Sequence, residues 1–113
     1  MKADMSVPDE ACCAHASAAP DIALGMFEDF FGAALAPGAL DVTTKEFIAV
    51  ALSLAVHCVP CARIHIRKAM SMGISAAELD EAAAIAVGFA GCRAMMLWRE
   101  LRKELIEEAE TES

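Results

Sequence analysis

Two cysteines and a histidine lie close together in the middle of this sequence. Cys58 and Cys61 are three positions apart, and His65 follows four residues after the second cysteine. On a helix these positions share one face, because residues at such spacings stack on the same side. A dithiol beside an imidazole that can move protons is suited to redox chemistry. This segment is therefore the candidate active site.

The position of a proline indicates where the helix that carries the dithiol begins. Proline is tolerated in the first turn of a helix and costly further in, so Pro60 predicts a break near His57 and a new helix from about Pro60 to Gly73. Unpaired N–H groups and the helix dipole lower the pKa of a thiol at such a start below its ordinary value of about 8.5. A second thiol nearby can then close a disulfide on the oxidised first one.

Glu46 is the candidate partner of the histidine. Eleven residues separate it from Cys58, and it ends the capping-box pattern Thr43-Thr44-Lys45-Glu46. The sequence leaves two interpretations open. Glu46 either caps a helix at the surface, or it holds the imidazole of His65 from the preceding helix as part of a proton relay.

The remaining chain carries helix signals and no convincing strand, which predicts an all-α fold. The predicted helices run from Asp21 to about Leu35, from the Thr43 capping box to about Val56, from about Pro60 to Gly73, from Ser75 to about Gly88 or Gly91, and through Met95, Met96, Trp98, Leu101 and Leu105. We expect a mobile arm over residues 1–20, one helical domain over 21–109 and an acidic tail over 110–113.

The composition predicts self-association. Of the 113 residues, 58% are hydrophobic, above the usual range of about 45 to 50%. A domain of this size buries only about 65% of the surface that its unfolded chain exposes. Apolar surface beyond the capacity of one core belongs in subunit interfaces, so an oligomer is expected.

Charge and segment length disfavour several partners. The net charge of -8 repels nucleic acids and anionic lipid surfaces. The longest apolar run, Phe47 to Ala62, is shorter than the roughly 18 residues of a transmembrane helix, and Met1 to Pro20 lacks the apolar core of a secretory signal. We therefore expect a cytoplasmic protein whose five cysteines do not form a structural disulfide framework.

With Glu46, Cys58, Cys61 and His65 at these spacings, the chain resembles the alkylhydroperoxidase D-like branch of the carboxymuconolactone decarboxylase-like superfamily. The likeness extends more loosely from about Leu40 to Trp98. The resemblance implies an all-helical subunit that forms trimers or hexamers and reduces hydroperoxides as an antioxidant thiol peroxidase, with no cofactor.

The resemblance also implies a role for each site residue. Cys61 would attack the peroxide, Cys58 would resolve the product as a disulfide, and His65 and Glu46 would relay protons. The reductant would be a lipoyl-carrying or thioredoxin-like protein. The residues alone do not rank the two cysteines, because in thioredoxin-like sites the first cysteine of such a pair is the nucleophile.

Two other functions remain open on the sequence. Cys58, Cys61 and His65 could be three ligands of a zinc ion, although no fourth ligand is evident. The chain could also be a non-catalytic assembly protein with the same scaffold. Metal content would decide the first, and the number of rapidly reacting thiols the second.

Other cysteines and histidines have simpler interpretations. Cys12, Cys13 and His15 could take a soft metal, but the arm has no second ligand pair at zinc-site spacing. We expect Cys92 to be a small core residue and His57 to interact with the last carbonyls of a helix.

Overall fold

The computed structural model describes residues 19–112, and in this range all regular structure is helical, which confirms the predicted all-α fold. The helices are α1 (Ala19–Leu35), α2 (Val42–Ala55), α3 (Val59–Ser71), α4 (Ala76–Ala90), α5 (Cys92–Arg102) and α6 (Glu108–Glu112), with a π-helical segment, Lys103–Glu107, between the last two. The chain divides into two compact units, one up to Ala36 and one from Pro37 onward. In the described range no helix is long and apolar enough to cross a membrane.

The first unit contains α1, which begins two residues before the predicted start at Asp21. Six of its large apolar side chains are exposed, whereas Leu35 is half-buried. The exposed ones are Ile22, Leu24, Met26, Phe27, Phe30 and Phe31. Phe27 and Phe31, one helical turn apart, stack with their ring centroids 6.2 Å apart. The helix therefore presents a large apolar surface.

Helix α2 begins earlier than the capping-box pattern predicts. Asp41 is the N-cap, and its carboxylate accepts a hydrogen bond of 2.8 Å from the backbone N–H of Thr44. That bond lowers the pKa of Asp41. Because aspartate caps a helix as well as threonine does, the start moves upstream. The predicted cap formed by Thr43 and Glu46 is therefore wrong, and Glu46 lies more than a full turn inside α2.

A tight turn joins α2 to α3. His57 has a left-handed backbone, with φ of 58°, and its N–H bonds to the carbonyl of Leu54. The N–H of Cys58 bonds to the carbonyl of Ser53. These two bonds form the Schellman motif that often ends a helix, with histidine where glycine is usual. The prediction that His57 interacts with the last carbonyls of a helix holds for its backbone.

The turn after α3 repeats this geometry with the expected residue. Gly73, with φ of 88°, donates to the carbonyl of Met70, and Ile74 donates to that of Ala69. Helix α4 then begins with the predicted capping box. The N–H of Glu78 donates to Ser75 Oγ at 3.1 Å, and the N–H of Ser75 donates to Glu78 Oε1 at 2.9 Å.

Gly91 separates α4 from α5. A φ of 86° at Gly91 interrupts the helical backbone conformation, so a new helix begins at Cys92. The Cys92 side chain is exposed. The expectation that Cys92 is a core residue is therefore wrong. A cysteine inside one continuous helix could have faced the core, but the break at Gly91 places it at an exposed helix end.

Helices α2 to α5 and the π-helical segment enclose one hydrophobic core. Its largest fully buried apolar side chains are Val50, Leu54, Ile66, Leu79, Leu101 and Ile106. Two polar links hold the elements around it. Arg63 on α3 donates two hydrogen bonds of 3.0 Å to Glu104. Asp80 on α4 accepts from Arg102 and from the indole N–H of Trp98.

Candidate active site

The two cysteines occupy the start of α3. Cys58 is the N-cap residue, Val59 and Pro60 are the first two helical residues, and Cys61 is the third. The Cys58 and Cys61 sulfur atoms form a disulfide, with the Cα atoms 5.3 Å apart. Cys61 is exposed, whereas Cys58 is half-buried. The dithiol therefore lies at the positive end of a helix, with its second member open to reactants.

The backbone of Cys58 belongs to two elements. Its N–H completes the turn that ends α2, and its carbonyl accepts the first hydrogen bond of α3, from the N–H of Ala62 at 2.9 Å. Both bonds fix the direction in which α3 leaves the turn. The position of the dithiol relative to α2 is therefore set by the connection between the helices.

His65 and Glu46 meet beneath this helix start. Glu46 extends from α2, and its Oε2 lies 2.5 Å from Nδ1 of His65 on α3. Only 9% of the His65 side chain and 2% of the Glu46 side chain are exposed. His65 follows Cys61 by four residues, one helical turn. The structure thus brings a buried imidazole–carboxylate pair to the helix that carries the dithiol.

The contact with Glu46 determines which imidazole nitrogen can serve the thiols. An ionised carboxylate only accepts hydrogen bonds, so Nδ1 of His65 is the donor in this pair. In the neutral ring, Nε2 is then the nitrogen that accepts a proton. When Nε2 accepts a proton, the carboxylate of Glu46 also stabilises the resulting imidazolium. The pair can therefore take a proton from a thiol and return it later.

Lys68 is a member of the site that the sequence interpretation missed. Its Nζ lies 3.6 Å from Oε1 of Glu46, on the carboxylate oxygen that does not face His65. Lys68 follows His65 by three residues on α3. Cys61, His65 and Lys68 are therefore spaced along one face of the helix, and this spacing was the signal that could have identified it.

The other predicted site residues lie elsewhere or outside the described range. Cys12, Cys13 and His15 fall outside the described residues. The backbone of His57 forms the turn before Cys58. Within residues 19–112, no three side chains among His, Cys, Asp and Glu are grouped as metal ligands.

Comparison with known proteins identifies a family. The model of the carboxymuconolactone decarboxylase family matches residues 23–103. A search of curated protein sequences finds no significant match. Among solved structures, the chain is similar to the crystal structure of a carboxymuconolactone decarboxylase family protein of Thermotoga maritima. That protein is described as having a possible involvement in an antioxidative response.

The similarity extends over most of both chains. The match has 31% sequence identity and a TM-score of 0.73, and it covers 80% of this chain and 94% of the Thermotoga maritima chain. A second crystal structure of the same Thermotoga maritima protein matches with the same identity and TM-score and covers 80% of each chain. The helical fold is therefore shared with this protein.

Proposed function

This chain belongs to the carboxymuconolactone decarboxylase family, and on that premise we propose that it is a thiol-dependent peroxidase that reduces hydroperoxides through Cys58 and Cys61. One observation carries the proposal. The buried pair of Glu46 and His65 lies one helical turn from Cys61, and its carboxylate oxygen and Nδ1 are 2.5 Å apart. A dithiol next to an oriented base has the parts that a two-electron thiol cycle requires.

The cycle has two chemical steps before the enzyme is regenerated. First, the thiolate of Cys61 attacks the terminal peroxide oxygen, the O–O bond breaks, and the alcohol leaves with a proton as Cys61 becomes a sulfenic acid. Second, the thiol of Cys58 attacks the Cys61 sulfur, the sulfur–sulfur bond forms, and water leaves. His65 takes the thiol proton in the first step and supplies one to the departing oxygen.

Exposure supports the order of the two cysteines. Cys61 is exposed and lies in the first turn of α3, where helix N–H groups stabilise a thiolate. Cys58 is half-buried at the N-cap position. A substrate therefore reaches Cys61 more easily. Cys58 needs only to reach the neighbouring sulfur, which its place in the disulfide makes possible.

The partners follow from the same proposal. The oxidised pair must receive two electrons, and a lipoyl-carrying or thioredoxin-like protein supplies them by exchanging its own dithiol. The exposed position of Cys61 is compatible with attack by a dithiol on a macromolecule. We further propose that the chain acts as a homotrimer or homohexamer, in which its exposed apolar side chains are covered.

Anaerobic stopped-flow kinetics test the proposed function. The reduced protein is mixed with an alkyl hydroperoxide, hydrogen peroxide or a small disulfide, and the product is digested to locate the new bond. We expect rapid consumption of one equivalent of hydroperoxide and an intramolecular Cys58–Cys61 disulfide. Consumption no faster than that of free cysteine would defeat the proposal, and preferential reaction with the disulfide would make the protein a disulfide oxidoreductase.

A further inference from the structure

Lys68 occupies the boundary between water and the buried carboxylate of Glu46. Its Nζ is 3.6 Å from Oε1, whereas Oε2 of the same carboxylate contacts Nδ1 of His65. The Lys68 side chain is 47% exposed and that of Glu46 only 2%. Among residues 19–112, each carboxylate oxygen thus has a partner, and both partners come from the same face of α3.

A buried carboxylate needs such partners in order to remain ionised. Removal from water disfavours the charged form of a carboxyl group, and an opposite charge within about 4 to 6 Å favours it. His65 supplies a full positive charge only while it is protonated. As a base it must start neutral, and in that state the ammonium of Lys68 is the charge that compensates Glu46.

Several other charged groups near α2 have partners away from Glu46 in the part of the chain that the structure describes. Helices α3, α4 and α5 all pack on α2. On α4, Glu78 bonds to the backbone of Ser75, and Asp80 bonds to Arg102 of α5. On α3, Arg63 bonds to Glu104, and Arg67 is exposed. The remaining charged side chains of α4 and α5 are exposed: Glu81, Arg93, Arg99 and Glu100.

We infer that Lys68 is a positioning residue of the dithiol site, which holds Glu46 as a carboxylate so that neutral His65 presents Nε2 to a thiol. The inference deepens the proposed peroxidase and rests on that function for its biological meaning. Lys68 acts through Glu46 and requires no contact with the substrate. Its removal should therefore change the protonation of the pair of Glu46 and His65.

Titration of the His65 ring measures that change. The chain has only three histidines, so the ring nitrogen signals in NMR spectra can be assigned by substitution. Lys68→Met should raise the titration midpoint of His65, because the pair loses a neighbouring cation and then takes up its first proton more readily. Lys68→Arg should restore the midpoint. Arg67→Met, which removes the adjacent exposed cation of α3, should leave it unchanged. An unchanged midpoint in Lys68→Met would overturn the inference.

Thiol alkylation provides a second readout that requires no peroxide. The reduced protein reacts with iodoacetamide between about pH 5 and 9, and Cys61 modification is followed by mass spectrometry. Lys68→Met should speed the reaction near pH 6, because an imidazole that binds a proton more readily draws it from the Cys61 thiol and leaves a thiolate. The acceleration should disappear in a Glu46→Gln background, because the two residues then no longer interact. Acceleration that persists undiminished there would overturn the inference.

These measurements separate the inference from the proposed function. A wild-type protein that consumes no hydroperoxide would defeat the peroxidase proposal. The His65 titration and the alkylation profile would still decide whether Lys68 acts on the pair. Conversely, rapid peroxide consumption that is unchanged in Lys68→Met, together with an unchanged titration, would retain the peroxidase and reject the role of Lys68.

Discussion

At the scale of single residues, the buried pair of Glu46 and His65 is the feature that stability alone does not explain. Removal of a carboxylate and an imidazole from water costs free energy that their attraction only partly returns, and well-packed apolar residues often do as well. The pair is nevertheless enclosed, with 2% and 9% of the two side chains exposed. Enclosed titratable groups beside a reactive side chain are typical of functional sites.

The roles of the two cysteines can be separated by substitution. In Cys58→Ser, Cys61 should still consume about one equivalent of hydroperoxide and stop as a sulfenic acid, because no resolving thiol remains. In Cys61→Ser, essentially none should be consumed. Trapping of the sulfenic acid with dimedone and mass spectrometry distinguish the two results. The opposite pattern would exchange the roles of Cys58 and Cys61.

The relay should depend more on His65 than on Glu46. His65→Ala should slow the reaction of Cys61 with peroxide by about 10²-fold or more, the usual effect of removing a positioned proton acceptor. Glu46→Gln should slow this reaction less, because Glu46 orients the base and does not contact the substrate. Single-turnover rates measure both effects. If both variants react at the wild-type rate, the proposed proton relay is wrong. If the substitutions of Cys58, Cys61, His65 and Glu46 all leave hydroperoxide consumption unchanged, the protein is a non-catalytic accessory protein.

At the scale of the helices, the two turns that flank α3 are alike in hydrogen bonding and differ in residue. Gly73 adopts φ of 88° after α3, and His57 adopts φ of 58° before it. Glycine has no Cβ and takes this conformation freely, whereas other residues are strained there. The turn that places the dithiol is therefore the less relaxed of the two.

At both turns glycine should give a more stable protein than alanine, because both positions have a left-handed backbone. His57→Gly should be more stable than His57→Ala by about 1 kcal/mol, because both lose the imidazole and only alanine keeps the strain of the left-handed backbone. Gly73→Ala should be destabilising by a similar amount from backbone strain, since a Cβ at Gly73 would meet no atom within 4 Å. Urea unfolding of the reduced proteins measures these differences. Equal stability of the two His57 variants would show that the turn is not strained.

At the scale of the whole molecule, acidic groups tie the helices together and should make stability depend on pH. Hydrogen bonds from Arg102 hold the pKa of Asp80 below its ordinary value of 3.8. Hydrogen bonds from Arg63 likewise hold the pKa of Glu104 below 4.5. A carboxylate with a lowered pKa contributes stability that is fully present above the unfolded value. That contribution is lost as the pH falls through the lower, folded value.

Asp80→Asn should therefore reduce the free energy of unfolding near neutral pH and flatten its decline below about pH 4. The amide cannot carry the charge that Arg102 stabilises. Urea unfolding at a series of pH values measures this, and Glu81→Gln, an exposed neighbour on α4, is the control expected to keep the wild-type profile. A parallel decline in Asp80→Asn and the wild type would show that this ion pair contributes nothing to acid stability.

The exposed apolar side chains should make the chain self-associate. On α4, Ile85 and Phe89 are one turn apart and 63% and 90% exposed, and Phe27 and Phe30 of α1 are 62% and 66% exposed. Such surface is unfavourable in water and is typically covered by another subunit. Light scattering coupled to size exclusion should give at least three times the subunit mass at micromolar concentration. A monodisperse monomer would contradict this prediction.

The sequence by itself determined the fold class and the residues whose side chains are capable of redox or acid–base chemistry. Helical periodicity, Gly73 and the Ser75 capping box mark helices correctly, because these signals are local and depend on a few neighbouring residues. The spacing of Cys58, Cys61 and His65 indicates redox chemistry for the same reason. The interpretation failed where two local signals competed, since Asp41 and Thr43 both suit an N-cap and the sequence does not rank them.

Only the tertiary structure decided what Glu46 faces. Its distance from His65 depends on the start of α2, on the left-handed turn at His57 and on the packing of α2 against α3. The sequence spacing does not predict these three features. Glu46 and His65 are nineteen positions apart and come into contact only when both helices are packed together. The same holds for Lys68, whose partner lies on another helix. Local pattern supplies the reactive groups, and packing between helices decides which of them meet.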